Sequence, residues 1–513
     1  TIDGTQTFHN LTINNAGGVS MNSGTSTVNR RLNVNPSGFL NANGRLILNS
    51  TATTDAWITA NSPVNGNITV RRLIPAGAAD YRDLGSPVSG ATIADWDNEI
   101  IISGPSFPDG CAYGSTGCFT SIATWNATTQ AYTYASGPGD NLSNGTGFEV
   151  FLGDNLNTFS GVIMDVTGGN VNGSTGNLLR SGWNLIANPF PSVIDFDDFY
   201  PGGGVGNYFY IYDQTTGGWE FYDGTGGSSG AVNANGFLAS GQGFWVFSSG
   251  VAALTVDQAD KEDQSGVTIV KDAGLHLSAN TLNLNLSDPL TERICRAQVK
   301  FRDDVMNDPA AQDIMQFRGP VHLDRSNTAP LLSLSNENGD LVRKDVRTNA
   351  DELQIPVTVT TWKPGKYVIS TENLKEASQY SCILLFDQEN NTYHNVKEGS
   401  YSFLSQGNGA DDQRFTLILS RSGSCVRDAV VASGMTGMDV IRNDQFIQVS
   451  LSELPENKEG RLMVMDMTGR VVADNIRVAN EQAVYEIYMP DASGVYMVIM
   501  DFGDERITKK VVF

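Results

Sequence analysis

Positive charge is scarce in this sequence, and its first half has no lysine at all. The first lysine is Lys261, and 33 Lys and Arg residues face 56 Asp and Glu residues, a formal net charge of -23 at pH 7. Such a polyanion is repelled by nucleic acid and by acidic membrane surfaces, which excludes both as general partners. Charged residues are only 17% of the chain, which also excludes a coiled coil and a charge-rich disordered protein.

Long apolar runs and catalytic signatures are missing as well. The longest apolar run, Val495–Met500, is far shorter than the ~18 residues of a membrane helix. The sequence has no phosphate-binding loop, and its histidines lack the spacing of a zinc site. These four histidines are His9, His276, His322 and His394. We therefore expect no catalytic residues and no enzymatic activity in this chain.

The sequence starts abruptly. Its first residue is Thr1, and no signal segment follows it. Thr1 already lies within a repeating pattern. We expect the chain to be part of a longer protein, so a catalytic domain could lie upstream.

Glycine is abundant, and its distribution divides the chain. Most of the 54 glycines precede Lys261, where all lysines begin. Many glycines with few charges are typical of short strands joined by tight turns, and 513 residues correspond to three or four domains at ~150 residues each. We predict an all-β, multidomain protein with a polar linker at Asp257–Gly266.

Residues 1–69 have the strongest rhythm. Apolar alternation recurs at Phe8–Ile13, Val19–Met21, Leu32–Val34 and Leu46–Leu48, with Asn and Gly between. Strands spaced by roughly 12 residues with Asn/Gly corners predict the rungs of a parallel β-solenoid, the end of a longer region. A plain antiparallel meander is the alternative.

Residues 70–165 and 166–256 are a duplication. The Pro turn at Pro87 corresponds to that at Pro189, and the strand after Phe148 corresponds to the strand after Phe244. Each copy reads as a strand, a Pro turn, a short acidic segment, an aromatic hairpin and a Gly-x-Gly-aromatic strand. We predict a pair of packed β-rich modules.

Residues 266–421 have the alternation of a β-sandwich. Period-two patterns such as Leu282–Leu286 and Phe415–Leu419 recur, and Pro364 with Gly365 supplies a turn. The stretch Arg302–Phe317 is the one plausible helix or long excursion. Residues 422–437, rich in Ser and Gly, read as an exposed linker.

The five cysteines suggest an exported protein. Cys111 and Cys118 close a short loop, and we predict a disulfide between them. Buried free thiols are the alternative, more so for Cys295 and Cys382 than for the first pair. With Cys425 as the fifth, one cysteine must remain unpaired.

Two further sets of side chains could bind ligands. Asp195, Asp197 and Asp198 could supply oxygen ligands to calcium, although acidic loops on an acidic protein are usually only solvated. We expect no other metal and no cofactor. The indoles of Trp125, Trp219 and Trp245 could bind glycans, with core packing as the alternative; these three residues carry the glycan hypothesis.

The C-terminal residues 438–513 carry the most specific pattern. Its parts are Gly460–Ala473 (GRLMVMDMTGRVVA), Met489–Val498 (MPDASGVYMV) and Ile507–Phe513 (ITKKVVF). Turn glycines between alternating strands predict a small antiparallel, immunoglobulin-like sandwich. Together, in this order and at the chain end, the motifs resemble the type A C-terminal sorting domain of the type IX secretion system of Bacteroidetes.

The resemblance implies a secretion route. Such proteins cross the inner membrane with a cleaved signal peptide, enter the periplasm and leave through a large outer-membrane translocon. A shuttle β-barrel then collects the sorting domain, and a sortase removes it while attaching the cargo to anionic lipopolysaccharide. The residues implied in recognition of the sorting signal are Gly469, Arg470, Gly494, Tyr496, Lys509 and Lys510. All six could instead merely build the sandwich.

These observations lead to three hypotheses. The first is a secreted, surface-attached, non-enzymatic stalk or adhesin-like protein delivered by its C-terminal domain. The second is the accessory C-terminal part of a secreted polysaccharide hydrolase whose catalytic domain lies before Thr1. The third is a glycan-binding protein that uses the tryptophans named above on extracellular glycans.

Overall fold

The computed structural model describes most of the chain. Its gaps are residues 114–117, 119, 214–217, 225–235, 264–279, 289–292, 303–312, 318–329, 337–338, 348–349, 391, 408, 422–436, 444–445, 453–459, 467–469, 479–483, 490–493, 502–505 and 513. The described residues form two compact units. The first is Thr1–Thr281 with Ile314–Leu323, and the second is Leu282–Asp313 with Asp324–Phe513. Both are built almost wholly of strands, which confirms the all-β, multidomain class.

The N-terminal region is a β-solenoid with two parallel sheets. Its strands are β1 (Gln6–Ile13), β2 (Val19–Ser20), β3 (Ser26–Val34), β4 (Leu40–Asn41), β5 (Leu46–Leu48), β6 (Trp57–Ile58), β7 (Val64–Asn65) and β8 (Asn67–Ile74). One sheet has the order β1-β3-β5-β8, with β6 beside β3, and the other has the order β2-β4-β7. Each rung contributes one strand to each sheet, so residues stacked on successive rungs are 20 to 22 positions apart. The predicted spacing of roughly 12 residues is therefore the distance along the chain from one strand to the next, and it is not the length of a whole rung.

Asparagine side chains connect the rungs. Asn35 Nδ2 donates to Asn14 Oδ1 at 2.9 Å, and Asn49 Nδ2 donates to Asn29 Oδ1 at 3.0 Å. Asn43 takes a left-handed corner with φ +52°, a conformation that asparagine tolerates better than most residues. The frequent asparagines of the sequence thus serve both the corners and the stacking.

The duplicated segment follows. Its first copy contains β9 (Gly77–Ala78), β10 (Asp80–Leu84), α1 (Ile93–Asp97), β11 (Ile122–Asn126), β12 (Ala131–Tyr134), β13 (Phe148–Leu152), β14 (Thr158–Phe159) and β15 (Val162–Gly169). The second contains β16 (Thr175–Leu179), β17 (Gly182–Ala187), β18 (Ile194–Asp195), α2 (Phe196–Phe199), β19 (Phe209–Asp213), β20 (Gly218–Tyr222), β21 (Phe237–Leu238), β22 (Gly243–Ser248) and β23 (Ala252–Val256). The main sheets, β10-β13-β11-β12 and β17-β22-β19-β20, have the same strand order.

The two copies meet across a pseudo-twofold axis. Gly85 N donates to Gly241 O at 2.8 Å, and the corresponding Ala187 N donates to Gly145 O at 3.0 Å. A Cβ at position 85 would lie 2.1 Å from the Ala187 Cβ, so this close approach of the backbones requires glycine.

A single hydrophobic core runs through the solenoid and both copies. It begins at Ile13, includes Leu32 and Ile58 of the rungs and Phe148 of the first copy, and extends to Val256. Strand β15 also pairs with β8, so the solenoid sheet continues directly into the first copy. The three predicted segments of this region therefore fold as one unit.

The predicted linker at Asp257–Gly266 is packed over its described part. Asp263 Oδ1 accepts from Arg31 Nε and from Trp57 Nε1, each at 2.8 Å. Lys261 is only 5% exposed and lies 4.6 Å from the centre of the Phe190 ring. The polar composition predicted a linker here, and these contacts attach its described residues to the first unit.

The second unit begins with one long sheet. Its strands are β24 (Thr281–Asp288), β25 (Arg293–Arg302), β27 (Leu331–Asn336), β28 (Gly339–Arg347), β29 (Glu352–Thr361), β30 (Pro364–Glu372), β31 (Cys382–Asp387), β32 (Thr392–Asn395), β33 (Tyr401–Gln406) and β34 (Gly409–Ser420), while β26 (Ile314–Met315) belongs to the first unit. The order is β32-β31-β34-β29-β27-β28-β25-β24-β30-β33. Tyr401 on β33 donates its hydroxyl to Asp387 on β31 at 2.8 Å, so the two ends of the sheet come together.

A small sandwich completes the second unit. Its strands are β35 (Gly437–Asn443), β36 (Phe446–Ser452), β37 (Gly460–Asp466), β38 (Val471–Val478), β39 (Val484–Tyr488), β40 (Val495–Asp501) and β41 (Arg506–Val512). The two sheets, β35-β36-β39 and β38-β37-β40-β41, enclose a core that includes Ile447, Val464 and Val498. No helix in the described part of the chain is long and apolar enough to cross a membrane.

Candidate functional site

The C-terminal sandwich brings the three sequence motifs into one sheet. The first motif supplies β37 and the start of β38, the second supplies β40 and the third supplies β41. In the strand register Asp466 lies opposite Tyr496, and Tyr496 lies opposite Val511. Residues distant in sequence are thus aligned in one row across three strands.

Arg470 closes the hairpin between β37 and β38. Its backbone N donates to Asp466 Oδ1 at 3.0 Å and its Nε donates to Asp466 Oδ2 at 3.0 Å. The Asp466 N donates in return to the Arg470 carbonyl at 2.9 Å. The Arg470 side chain is still 77% exposed. An exposed pair contributes little to stability, so the contact chiefly orients the guanidinium at the surface.

The other predicted sorting residues differ in their surroundings. Tyr496 is 9% exposed and belongs to the sandwich core, whereas Lys509 on β41 is exposed. Gly494 precedes β40 with φ +112°. Lys510 lies opposite Met497 in the register. Gly469 lies outside the described residues.

The described cysteines have three different surroundings. Cys111 and Cys118 form a disulfide. Cys295 carries a buried thiol that is not in a disulfide. Cys382 is disulfide-bonded, so the free-thiol alternative fails for this residue. Cys425 lies outside the described residues.

The acidic loop of the second copy gathers a different set of carboxylates from the predicted one. Oxygen atoms of Asp195, Asp198 and Glu262 lie within 4.8 Å of one another. Asp197 instead accepts a hydrogen bond from Tyr222 Oη at 2.6 Å. Burial, with repulsion by the nearby carboxylates, raises the pKa of Asp195 to about 6. Carboxylate oxygens are ligands that calcium accepts, but calcium usually takes six to eight, so these three would supply only part of a site.

The tryptophans of the glycan hypothesis lie at the junction of the two copies. Trp245 is fully buried, and its Nε1 donates to Asp83 Oδ2 at 3.2 Å. Trp125 packs edge-on against Trp245 at 5.3 Å and donates its Nε1 to the Trp183 carbonyl at 2.8 Å. Trp219 is half-buried. The indoles of Trp125 and Trp245 therefore serve packing between the copies.

A buried carboxyl pair at the same junction was missed by the sequence reasoning. Asp83 on β10 lies opposite Glu149 on β13, and each is 2% exposed. Burial raises the pKa of Asp83 well above its usual range, and the charge of Glu149 raises it further. The duplication contained the signal, because Glu149 occupies the position that Trp245 holds in the second copy.

No family model matches the sequence, and no curated protein matches it. Three solved structures show weak similarity. A β-1,2-glucanase from Parabacteroides distasonis has 10% identity over 36% of each chain, with a TM-score of 0.12. The BSP domain of a biofilm-associated protein has 10% identity over 91% of this chain and 82% of its own, with a TM-score of 0.13. A tetra-tandem repeat from the extending region of a large adhesion protein has 9% identity over 91% and 97%, with a TM-score of 0.13. TM-scores this low do not establish a shared fold.

Proposed function

We propose that this chain is cell-surface cargo of the type IX secretion system and that residues 438–513 are its sorting domain. The observation that carries the proposal is the C-terminal register, which places Asp466, Tyr496 and Val511 in one row. The resemblance rests on the order of the three motifs along the chain, and in the fold all three are parts of one sheet. The partners are the outer-membrane translocon, the shuttle β-barrel and the sortase.

Two exposed cations are the groups we assign to direct recognition. Arg470 is oriented by Asp466, and Lys509 lies exposed on β41. Exposed cations on one small sheet are opposite in sign to the net charge of the chain, which is -23. A translocon component with an acidic groove would select this surface by charge. Lys510, next along the strand, belongs to the same proposal.

The rest of the chain is proposed to be the displayed cargo, a non-enzymatic stalk or adhesin-like module. The solenoid and the duplicated copies share one core, which makes the first unit a rigid body suited to display. After cleavage the cargo would be attached to lipopolysaccharide at the surface.

Deletion of residues 438–513 tests the assignment. We expect the truncated protein to accumulate in the periplasm, because the translocon would no longer find its signal. Fractionation with surface proteolysis measures the distribution. Truncated protein at the surface at normal levels would contradict the proposal.

Charge substitutions test the two cations separately from folding. Arg470→Ala with Lys509→Ala should lower the surface fraction several-fold while thermal unfolding stays unchanged. Lys375→Ala is the matched control, because its side chain is 81% exposed between β30 and β31, outside the C-terminal sandwich. Equal surface levels for the double variant and the control would remove these cations from recognition.

A further inference from the structure

An aromatic cage on the second copy encloses one phenylalanine from a distant part of the chain. The ring of Phe317 lies 4.5 Å from Trp183, 4.4 Å from Trp219 and 4.7 Å from Trp245, centre to centre. Tyr210 is the fourth wall at 5.6 Å. Phe317 is 3% exposed. We call the four surrounding aromatic residues the cage: Trp183, Trp219, Trp245 and Tyr210. The segment Ile314–Phe317 is called the strap.

The strap is held by a polar contact as well as by rings. Tyr210 Oη donates to the carbonyl of Met315 at 2.8 Å. Tyr210, one wall of the cage, thus binds a backbone acceptor two residues before Phe317. A pocket of rings with one aimed donor is a common form of binding site, where the rings supply affinity and the donor fixes orientation.

The first copy lacks this cage although its sheet has the same strand order. In the aligned registers Ala123 stands where the second copy has Tyr210, and Glu149 stands where it has Trp245. By the same registers Tyr81 and Tyr132 stand where the second copy has Trp183 and Trp219, so the two ring walls that only the second copy has are Tyr210 and Trp245. The wall that donates to the strap, Tyr210, is therefore specific to the second copy.

We propose that the cage is a peptide-recognition site for an aromatic residue in an extended segment, with the strap as its built-in ligand. The class of ligand follows from the occupant: a planar ring in the cage and a carbonyl acceptor two residues before it. Removal of the Phe317 ring leaves a site that the same sequence binds from a separate molecule.

The test uses the full chain with Phe317→Ala and an added peptide. The probe is the capped peptide Asp-Ile-Met-Gln-Phe-Arg, which copies residues 313–318, with binding followed by tryptophan fluorescence and calorimetry. We expect saturable binding to the variant and none to the wild-type chain, whose cage is filled. The same peptide with alanine in place of its phenylalanine should not bind.

Two second-site variants place the binding in the cage. Tyr210→Phe keeps the ring and removes only the donor, so affinity for the peptide should fall several-fold in the Phe317→Ala background. Trp219→Ala should weaken it roughly tenfold, since aromatic pairs contribute up to ~1.5 kcal/mol each. Tyr132→Ala, the first-copy counterpart of Trp219, is the control and should change nothing.

Three outcomes would overturn the proposal. One is a folded Phe317→Ala chain that shows no binding at millimolar peptide. Another is equal binding to the wild-type chain, which would place the peptide elsewhere. The third is binding that Tyr210→Phe and Trp219→Ala both leave intact. None of these results bears on secretion, so the sorting proposal is tested independently.

Discussion

At the scale of single residues, two buried charged groups behave in opposite ways. Arg414 donates from Nη2 to Asp387 Oδ2 at 3.0 Å, and its guanidinium lies 4.9 Å from the Phe403 ring and 5.0 Å from the Phe415 ring. Its charge is thus paired and enclosed by rings. Asp83, by contrast, is buried opposite another carboxyl group. Burial raises the pKa of Asp83, and the charge of Glu149 raises it further, so the ionised form of Asp83 destabilises the folded chain.

We predict that Asp83→Asn makes the thermal stability of the protein less sensitive to rising pH. The folded-state pKa of Asp83 is raised above its unfolded value, so the folded chain binds the extra proton. Its stabilising contribution is complete below about pH 4 and is lost as pH rises towards the folded pKa. The unfolding temperature of the variant, relative to that of the wild-type protein, should therefore increase from pH 4.5 to pH 7.5. Calorimetry measures both temperatures.

The control for this prediction is Glu99→Gln, which changes an exposed acidic residue of the same unit. It should follow the wild-type curve at every pH. If Asp83→Asn runs parallel to wild type as well, the buried pair has no net cost and the prediction is wrong.

At the scale of elements, turns decide where the C-terminal strands begin. Gly494 immediately precedes β40, the strand that carries Tyr496 into the core. A Cβ at this position would meet no atom within 4 Å. The requirement for glycine is therefore conformational, set by φ +112°, and not steric.

We predict that Gly494→Ala destabilises the C-terminal sandwich by ~1–3 kcal/mol, the range for a residue forced into a sparsely populated backbone region. Thermal unfolding and the surface fraction should fall together, because a poorly folded sandwich is a poor signal. Gly365→Ala is the control, since a Cβ there also meets no atom within 4 Å and φ is not positive. A stable, fully exported Gly494→Ala protein would contradict this account.

At the scale of the whole molecule, residues 422–436, which the structure does not describe, lie in the chain between the long sheet of the second unit and its C-terminal sandwich. The strand before them ends at Ser420 and the strand after them begins at Gly437. A sortase needs extended backbone, and the Ser/Gly-rich sequence of this segment predicts it.

We predict that the mature surface protein ends between Ser420 and Gly434, with lipopolysaccharide at the new terminus. Mass spectrometry of the surface form should find no peptides from Arg461 onward. Recovery of an intact Phe513 from most surface molecules would show that the domain stays attached as an anchor.

The sequence by itself determined the features that local chemistry dictates. Alternation with Asn/Gly corners predicted the solenoid, because side chains on a strand alternate between faces and asparagine tolerates left-handed corners. The duplicated Pro turns and Phe148/Phe244 strands predicted two modules, and the sheets of these modules have the same order. Each of these signals lies within a few neighbouring residues, which is why a linear pattern reveals it.

Only the tertiary structure decided which distant residues share an environment. Three contacts bring together residues far apart in sequence. They are the pairing of Asp83 with Glu149, the proximity of Glu262 to Asp195 and Asp198, and the packing of Phe317 in the cage. The contacts of Asp263 with Arg31 and Trp57 are hidden from the sequence for the same reason, because polar composition does not show which distant side chain a residue meets. Side-chain chemistry sets what a residue can bind, but the fold sets which partner reaches it.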